Sequence, residues 1–74
     1  MVTIQKKSTT QLVVENLRAH IQHDSTQVGD RFPTEKELCS TLGVGRGTVR
    51  EAVKILIAEG YLEIKPGLGT FIKS

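Results

Sequence analysis

Residues 43–52, GVGRGTVREA, combine three glycines at alternate positions with Arg46, Thr48 and Arg50. Glycine-rich loops that lead into a helix bind phosphate groups in nucleotide-binding proteins. A dinucleotide fingerprint, however, follows a strand and needs a third glycine where Thr48 stands, and a P-loop ends in Gly-Lys-Ser or Gly-Lys-Thr. Neither pattern occurs here, and the residues before Gly43 are typical of a helix. The sequence therefore argues against a nucleotide site.

The same glycines fit the turn between two helices. Thr34 and Glu37 match a capping box, which predicts the start of a second helix, and Gly43 can adopt the left-handed conformation that ends it. Gly45 then begins a third helix, which Gly60 closes. Its inward arc consists of Val49, Ala52, Val53, Leu56 and Ile57. Two helices joined by so short a turn predict a helix-turn-helix motif at about residues 35–54.

The outer arc of the third helix carries Gly47, Arg50, Glu51 and Lys54, with Arg46 at its entry. Small residues in the first turn let a phosphate or a base edge approach the backbone closely. Arginine side chains can bind a guanine or a phosphate through two parallel hydrogen bonds. A solvated face with a Glu51–Lys54 pair is an equally open alternative at this point.

The remaining elements follow from the periodicity of the apolar residues. Residues from about Thr10 to near His23 predict a first helix, and the turn formers that end in Pro33 predict a loop. Two short strands around the turn at residues 66–69 predict a β-hairpin at about residues 62–72. Residues 1–8 are read as a flexible arm and residues 9–74 as one domain, mostly α with a small hairpin.

Composition limits the other possibilities. Ten Lys and Arg against eight Asp and Glu give a net charge of +2, which by itself does not indicate nucleic acid. The longest apolar run has four residues, far below the roughly 18 of a membrane span, so we expect a cytoplasmic protein with no membrane partner. The single cysteine, Cys39, cannot form an internal disulfide, which is consistent with a reducing compartment.

Catalytic and metal sites are not expected. His20, His23 and Asp24 could in principle hold a metal on one helical face, but a surface position for His20 is the favoured interpretation. No Ser-His-Asp or Cys-His grouping can be assembled from the chain, and 74 residues are too few for a buried cleft. We therefore predict no enzymatic activity, no cofactor and no metal.

Four separated blocks carry a family resemblance. Residues 32–38, 42–52, 60–62 and 67–72, read as FPTEKEL, LGVGRGTVREA, GYL and GLGTFI, together resemble the DNA-binding domain of the GntR family of bacterial transcription regulators. The resemblance extends from about Thr10 to Ile72. It implies a three-helix winged helix-turn-helix fold, with the third helix in the major groove, the hairpin as a wing in the neighbouring minor groove, and a dimer on palindromic operator DNA.

The resemblance also implies which residues touch DNA. Lys36, Arg46, Thr48, Arg50 and Gly67 are carried over by position. Lys65 is expected to add a phosphate contact, although a solvated strand lysine is about as plausible. The complete predicted set is Thr34, Lys36, Gly45, Arg46, Gly47, Thr48, Arg50, Lys65 and Gly67.

Three positions depart from the family pattern. Relatives more often have Arg at Lys36, Ser or Thr at Gly45, and a side chain at Gly47, so an operator sequence cannot be transferred from them. Because Arg46 and Arg50 remain, we expect guanine in each half-site. The resemblance further implies a ligand-responsive repressor, with dimerisation and effector binding in a C-terminal domain absent from this chain. The alternative is a winged-helix module that binds another protein and has an apolar patch in place of the basic arc.

Overall fold

The computed structural model describes residues 7–23 and 26–73. It contains α1 (Thr9–His23), α2 (Glu35–Leu42), α3 (Arg46–Ala58), β1 (Leu62–Lys65) and β2 (Gly69–Ile72). The predicted order of three helices followed by a hairpin is confirmed. Residues 1–6 of the predicted arm and Ser74 at the end of the predicted domain lie outside the described residues.

Local hydrogen bonds fix the helix ends. Thr34 is the N-cap of α2 with the predicted capping box, and Gly43, at φ 67°, donates its N–H to the carbonyl of Cys39 at 2.9 Å. α1 also begins with a capping box, whereas the sequence predicts that Ser8 belongs to a flexible arm. The Ser8 hydroxyl accepts from the Gln11 N–H at 3.1 Å, and the Ser8 N–H donates to Gln11 Oε1 at 2.9 Å. The motif Ser-x-x-Gln was the signal for it.

α3 is the centre of the core, since α1, α2 and β1 all pack against it. Leu56, Val49 and Leu62 are the largest side chains that are fully buried. The predicted inward residues Val53 and Ile57 are only partly buried and pack at the edge of this core. Among the residues that the structure describes, the buried ones are Val13, Val14, Leu17, Ile21, Phe32, Leu38, Val49, Ala52, Leu56, Leu62 and Ile72.

The end of the loop before α2 pairs with the hairpin. β1 and β2 are antiparallel, with Leu62 opposite Ile72 and Lys65 opposite Gly69. On the other edge of β2, Arg31 forms a bridge with Phe71. The sequence predicts only a loop here, because such pairing joins residues about 40 positions apart. This pairing attaches the hairpin to the segment that leads into α2.

An ion pair joins the far end of α3 to α1. The Arg18 guanidinium donates three hydrogen bonds to the Glu59 carboxylate, at 2.7, 2.8 and 3.2 Å, and lies 5.9 Å from the centre of the Tyr61 ring. The hydrogen bond to Glu59 is the main cause that raises the pKa of Arg18. This contact links α1 to the C-terminal end of α3, at the opposite end of the helix from the turn.

Candidate nucleic-acid interface

The start of α2 is held rigidly. The Thr34 N–H donates to Glu37 Oε1 and the Glu37 N–H donates to Thr34 Oγ1, both at 3.2 Å. Hydrogen bonds with the backbone and side chain of Thr34 lower the pKa of Glu37, so this carboxylate stays ionised at neutral pH. Lys36 is exposed in the same first turn. Thr34 therefore fixes the position from which Lys36 projects.

The entry to α3 is open. Gly45 is the N-cap and, having no side chain, makes no side-chain capping bond. A Cβ built on Gly45 or on Gly47 would meet nothing within 4 Å, so the packing of the protein requires neither glycine. Both glycines are exposed, whereas Thr48 is half-buried. The backbone at this end of α3 is therefore accessible to a bulky partner.

Arg50 projects from this open face and is paired with Glu35. Its Nε and one terminal nitrogen donate to the two Glu35 carboxylate oxygens at 3.2 and 3.0 Å, while 58% of its side chain stays exposed. The hydrogen bond from Arg50 is the main cause that lowers the pKa of Glu35. No local sequence pattern indicates Glu35 as a partner of Arg50, because the two residues are 15 positions apart and meet only through the turn between α2 and α3.

The other charges of this surface, which is formed by the first turn of α2 and the outer arc of α3, differ in their pairing. The predicted Glu51–Lys54 pair forms, with 3.7 Å between Lys54 Nζ and Glu51 Oε1. Within residues 7–23 and 26–73, Lys36 and Arg46 form no salt bridge, although the Arg46 charge helps to lower the pKa of Glu35. Two exposed cations thus have their charge available beside the paired Arg50.

The hairpin presents its turn to solvent. The N–H of Leu68 donates to the carbonyl of Lys65 at 2.9 Å, and Gly67 between them has φ 76°, which favours glycine. A Cβ on Gly67 would meet nothing within 4 Å. Lys65 Nζ lies 4.8 Å from the centre of the Phe71 ring, so this lysine is oriented by a cation–π contact instead of extending freely into water.

Other kinds of site find no support in the described part of the chain. Its residues contain no group of three or more His, Cys, Asp or Glu side chains that could hold a metal, and Asp24 of the predicted metal alternative lies outside it. Cys39 is a half-buried free thiol. None of the described helices is long and apolar enough to cross a membrane.

Comparisons with known proteins agree with this geometry. A family model described as "Bacterial regulatory proteins, gntR family" matches residues 9–72. The HTH-type transcriptional regulator Rv0792c of Mycobacterium tuberculosis is 43% identical over 65 residues, which cover 88% of this chain and 24% of that protein. This chain spans about a quarter of the length of the curated relatives it matches.

Two solved structures are similar over nearly the whole chain. A transcriptional regulator from Oenococcus oeni aligns with a TM-score of 0.87 at 27% identity, covering 99% of this chain and 61% of that one. The DNA-binding domain of AraR in complex with operator ORR3 aligns with a TM-score of 0.84 at 29% identity, covering 97% of this chain and 87% of that one. The three helices and the hairpin thus form the same fold as the AraR domain, which was solved in complex with operator DNA.

Proposed function

The chain belongs to the gntR family of bacterial regulatory proteins, and from this premise we propose that it is the DNA-binding part of a transcription regulator that recognises a specific operator. The observation that carries the proposal is the exposed pair of Arg46 and Arg50 at the open N-terminal end of α3. The AraR domain of the same fold is bound to an operator. In this proposal α3 lies in the major groove and the hairpin is the wing that reaches the adjacent minor groove.

Each arginine has a suitable chemical role. Arg50 uses its Nε and one terminal nitrogen for Glu35, which leaves the other edge of the guanidinium for the O6 and N7 atoms of a guanine. Arg46 supplies a second guanidinium at the helix entry.

The other predicted residues contact the backbone of the duplex or allow close approach. Phosphates are neutralised by Lys36 and Lys65. The duplex is contacted at short range by Thr48 and by the backbone near Gly45 and Gly47, and Gly67 lets the wing tip enter the minor groove. Thr34 keeps α2 in place for these contacts.

The wider organisation is proposed on the same basis. A regulator of this family would bind as a homodimer to a palindromic site and respond to a small effector through another domain, acting as a cytoplasmic repressor without enzymatic activity. A protein-binding winged helix would show an apolar outer arc on α3. Here that arc carries Gly47, Arg50, Glu51 and Lys54, all of them exposed, so DNA binding is favoured over this alternative.

The test begins with selection of duplexes from random-sequence DNA by a dimerised form of the domain, followed by titration at 50 and 200 mM salt. Binding that contacts several phosphates weakens steeply with salt. Arg50→Ala should lower the affinity for the selected duplex by about 5- to 150-fold and relax the preference at one base pair. An Arg50→Ala protein with unchanged affinity and preference would exclude the proposed role of Arg50.

Arg18→Ala is the matched control. It removes the same charge and the same kind of bidentate ion pair, since Arg18 pairs with Glu59 as Arg50 pairs with Glu35. Glu59 follows α3, nine residues beyond Arg50 and thus about 13 Å along the helix axis. The control should retain the base preference of the wild-type domain. If both variants lose it equally, the loss reflects charge or stability instead of base recognition.

A further inference from the structure

Arg31 is placed beside the wing by backbone pairing. The Gly29 N–H donates to the Ile72 carbonyl at 2.7 Å, the Ile72 N–H donates to the Asp30 carbonyl at 2.9 Å, and the Phe32 N–H donates to the Thr70 carbonyl at 2.8 Å. These bonds hold residues 29–32 alongside β2, with an isolated antiparallel bridge between Arg31 and Phe71. Arg31 lies within this segment, where its position does not depend on a side-chain contact.

The Arg31 side chain extends toward the tip of the hairpin. Its Nε lies 3.4 Å, and one terminal nitrogen 3.7 Å, from the point that a Cβ on Gly69 would occupy. Gly69, at φ 125°, has a conformation that L side chains rarely adopt. The guanidinium therefore lies beside the Gly69 backbone, in the space that a side chain at position 69 would occupy. It lies on the same face as Lys65, because Lys65 is the cross-strand partner of Gly69.

The charge of Arg31 is not neutralised by an ion pair. Arg31 is exposed, and among the described residues it forms no salt bridge, whereas Arg18 and Arg50 each hold a carboxylate in bidentate contact. Hydrogen bonds with Thr34 are the main cause that lowers the pKa of Glu37, and the positive charge of Arg31 lowers it further. Arg31 thus lies between the wing tip and the first turn of α2 with its donors available.

We propose that Arg31 binds a phosphate of the DNA strand that passes between the major groove occupied by α3 and the minor groove occupied by the wing. This inference rests on the proposed function, because in that docking one sugar-phosphate backbone separates the groove that holds α3 from the adjacent groove that holds the hairpin. A guanidinium matches a phosphate through two parallel hydrogen bonds. On the outer face of the wing, Arg31 and Lys65 then place two cations near the tip, while Glu63, opposite Phe71 on the same face, lies nearer the base. The two cations strengthen binding to every sequence equally.

The experiment compares the salt dependence of DNA binding for the wild type and Arg31→Ala, with the selected duplex and with a random duplex. Losing one phosphate contact lowers the magnitude of the slope of log affinity against log salt by about 0.9, so the loss of affinity between 50 and 200 mM salt becomes about 3.5-fold smaller. The discrimination between the two duplexes should stay unchanged. Thermal unfolding and backbone amide shifts of the hairpin verify the fold of each variant.

Lys73→Ala is the control for a general effect of charge. Lys73 is also exposed and forms no salt bridge within the described residues, but it lies at the base of the hairpin, where its N–H donates to the Tyr61 carbonyl. The slope of log affinity against log salt for Lys73→Ala should match that of the wild type. A slope lowered equally by Lys73→Ala and Arg31→Ala would overturn the proposal.

Arg31→Lys and Arg31→Gln separate the charge from support of the wing. The lysine variant should keep the wild-type slope with a modest loss of affinity, and the glutamine variant, which preserves length, should behave like Arg31→Ala even if the alanine variant is unstable. Equal loss in the lysine and glutamine variants would mean that Arg31 only supports the hairpin. If the wild type itself shows no salt-dependent binding, the proposed function fails; if it binds steeply and Arg31→Gln is unchanged, only the role of Arg31 fails.

Discussion

Glu35→Gln tests whether the protein orients Arg50 before DNA arrives. Glu35 accepts two hydrogen bonds from Arg50, at 3.0 and 3.2 Å, and the exposed fraction of its own side chain is 34%. The substitution keeps the shape of the side chain and one acceptor oxygen but removes the charge and the second acceptor. Arg50 would then sample several rotamers in the free domain and lose that freedom on binding.

The expected loss of affinity in Glu35→Gln follows from the conformational freedom of the Arg50 side chain. Immobilising a long, flexible side chain on association weakens binding by about 2- to 13-fold, and this is the loss we expect for the selected duplex. Binding to random DNA should not weaken, because removing an acidic charge makes the surface more positive. The ratio of specific to non-specific affinity should therefore fall. The thermal midpoint should change little, since exposed ion pairs contribute little to stability.

Fluorescence titration of both duplexes at one salt concentration measures this ratio. Glu51→Gln is the matched control: it removes one acidic charge from the same helix face, where Glu51 pairs with Lys54 at 3.7 Å and not with Arg50. It should leave the ratio unchanged. If Glu35→Gln discriminates between the duplexes as well as the wild type does, Arg50 needs no orienting partner and the reasoning is refuted.

Three further predictions concern stability. Thr34→Ala should cost about 1 kcal/mol in the free energy of unfolding, measured by urea denaturation, because the N-cap bond to the Glu37 N–H is lost. Leu56→Ala should lower the free energy of unfolding by about 2–5 kcal/mol, because Leu56 is fully buried, and a domain stabilised by about 3–5 kcal/mol would then be largely unfolded. Ile55→Ala changes an exposed neighbour and should stay folded, as measured by circular dichroism. The pKa of Glu37 is lowered from 4.5, mainly by its hydrogen bonds with Thr34. The ionised Glu37 therefore contributes its full share to the stability of the fold above about pH 4.5 and loses it as the pH falls below that value. The melting temperature of the wild type should fall more on acidification than that of Thr34→Ala, in which the hydrogen bond with the Thr34 side chain is absent.

Local sequence patterns predict the order of the elements and both ends of α2. The capping box at Thr34 and the left-handed residue Gly43 act through bonds that span three or four positions, so neighbouring residues encode them. The same holds for the apolar arc of α3 and the turn at Gly67. The outer arc of α3 and the Glu51–Lys54 pair also follow from helical spacing alone. The family resemblance supplied five of the residues predicted to touch DNA, namely Lys36, Arg46, Thr48, Arg50 and Gly67, and the roles of the whole predicted set remain predictions.

Ion pairs between residues far apart in the chain follow from tertiary packing and not from local sequence. The Arg50–Glu35 pair depends on the angle between α2 and α3, and the Arg18–Glu59 pair on how α1 crosses α3. The place of Arg31 beside Gly69 depends on a loop that pairs with a strand about 40 residues later. Such contacts have no local sequence pattern, because the packing of the whole core sets their distances. Core packing therefore sets which cations are paired with carboxylates and which are not.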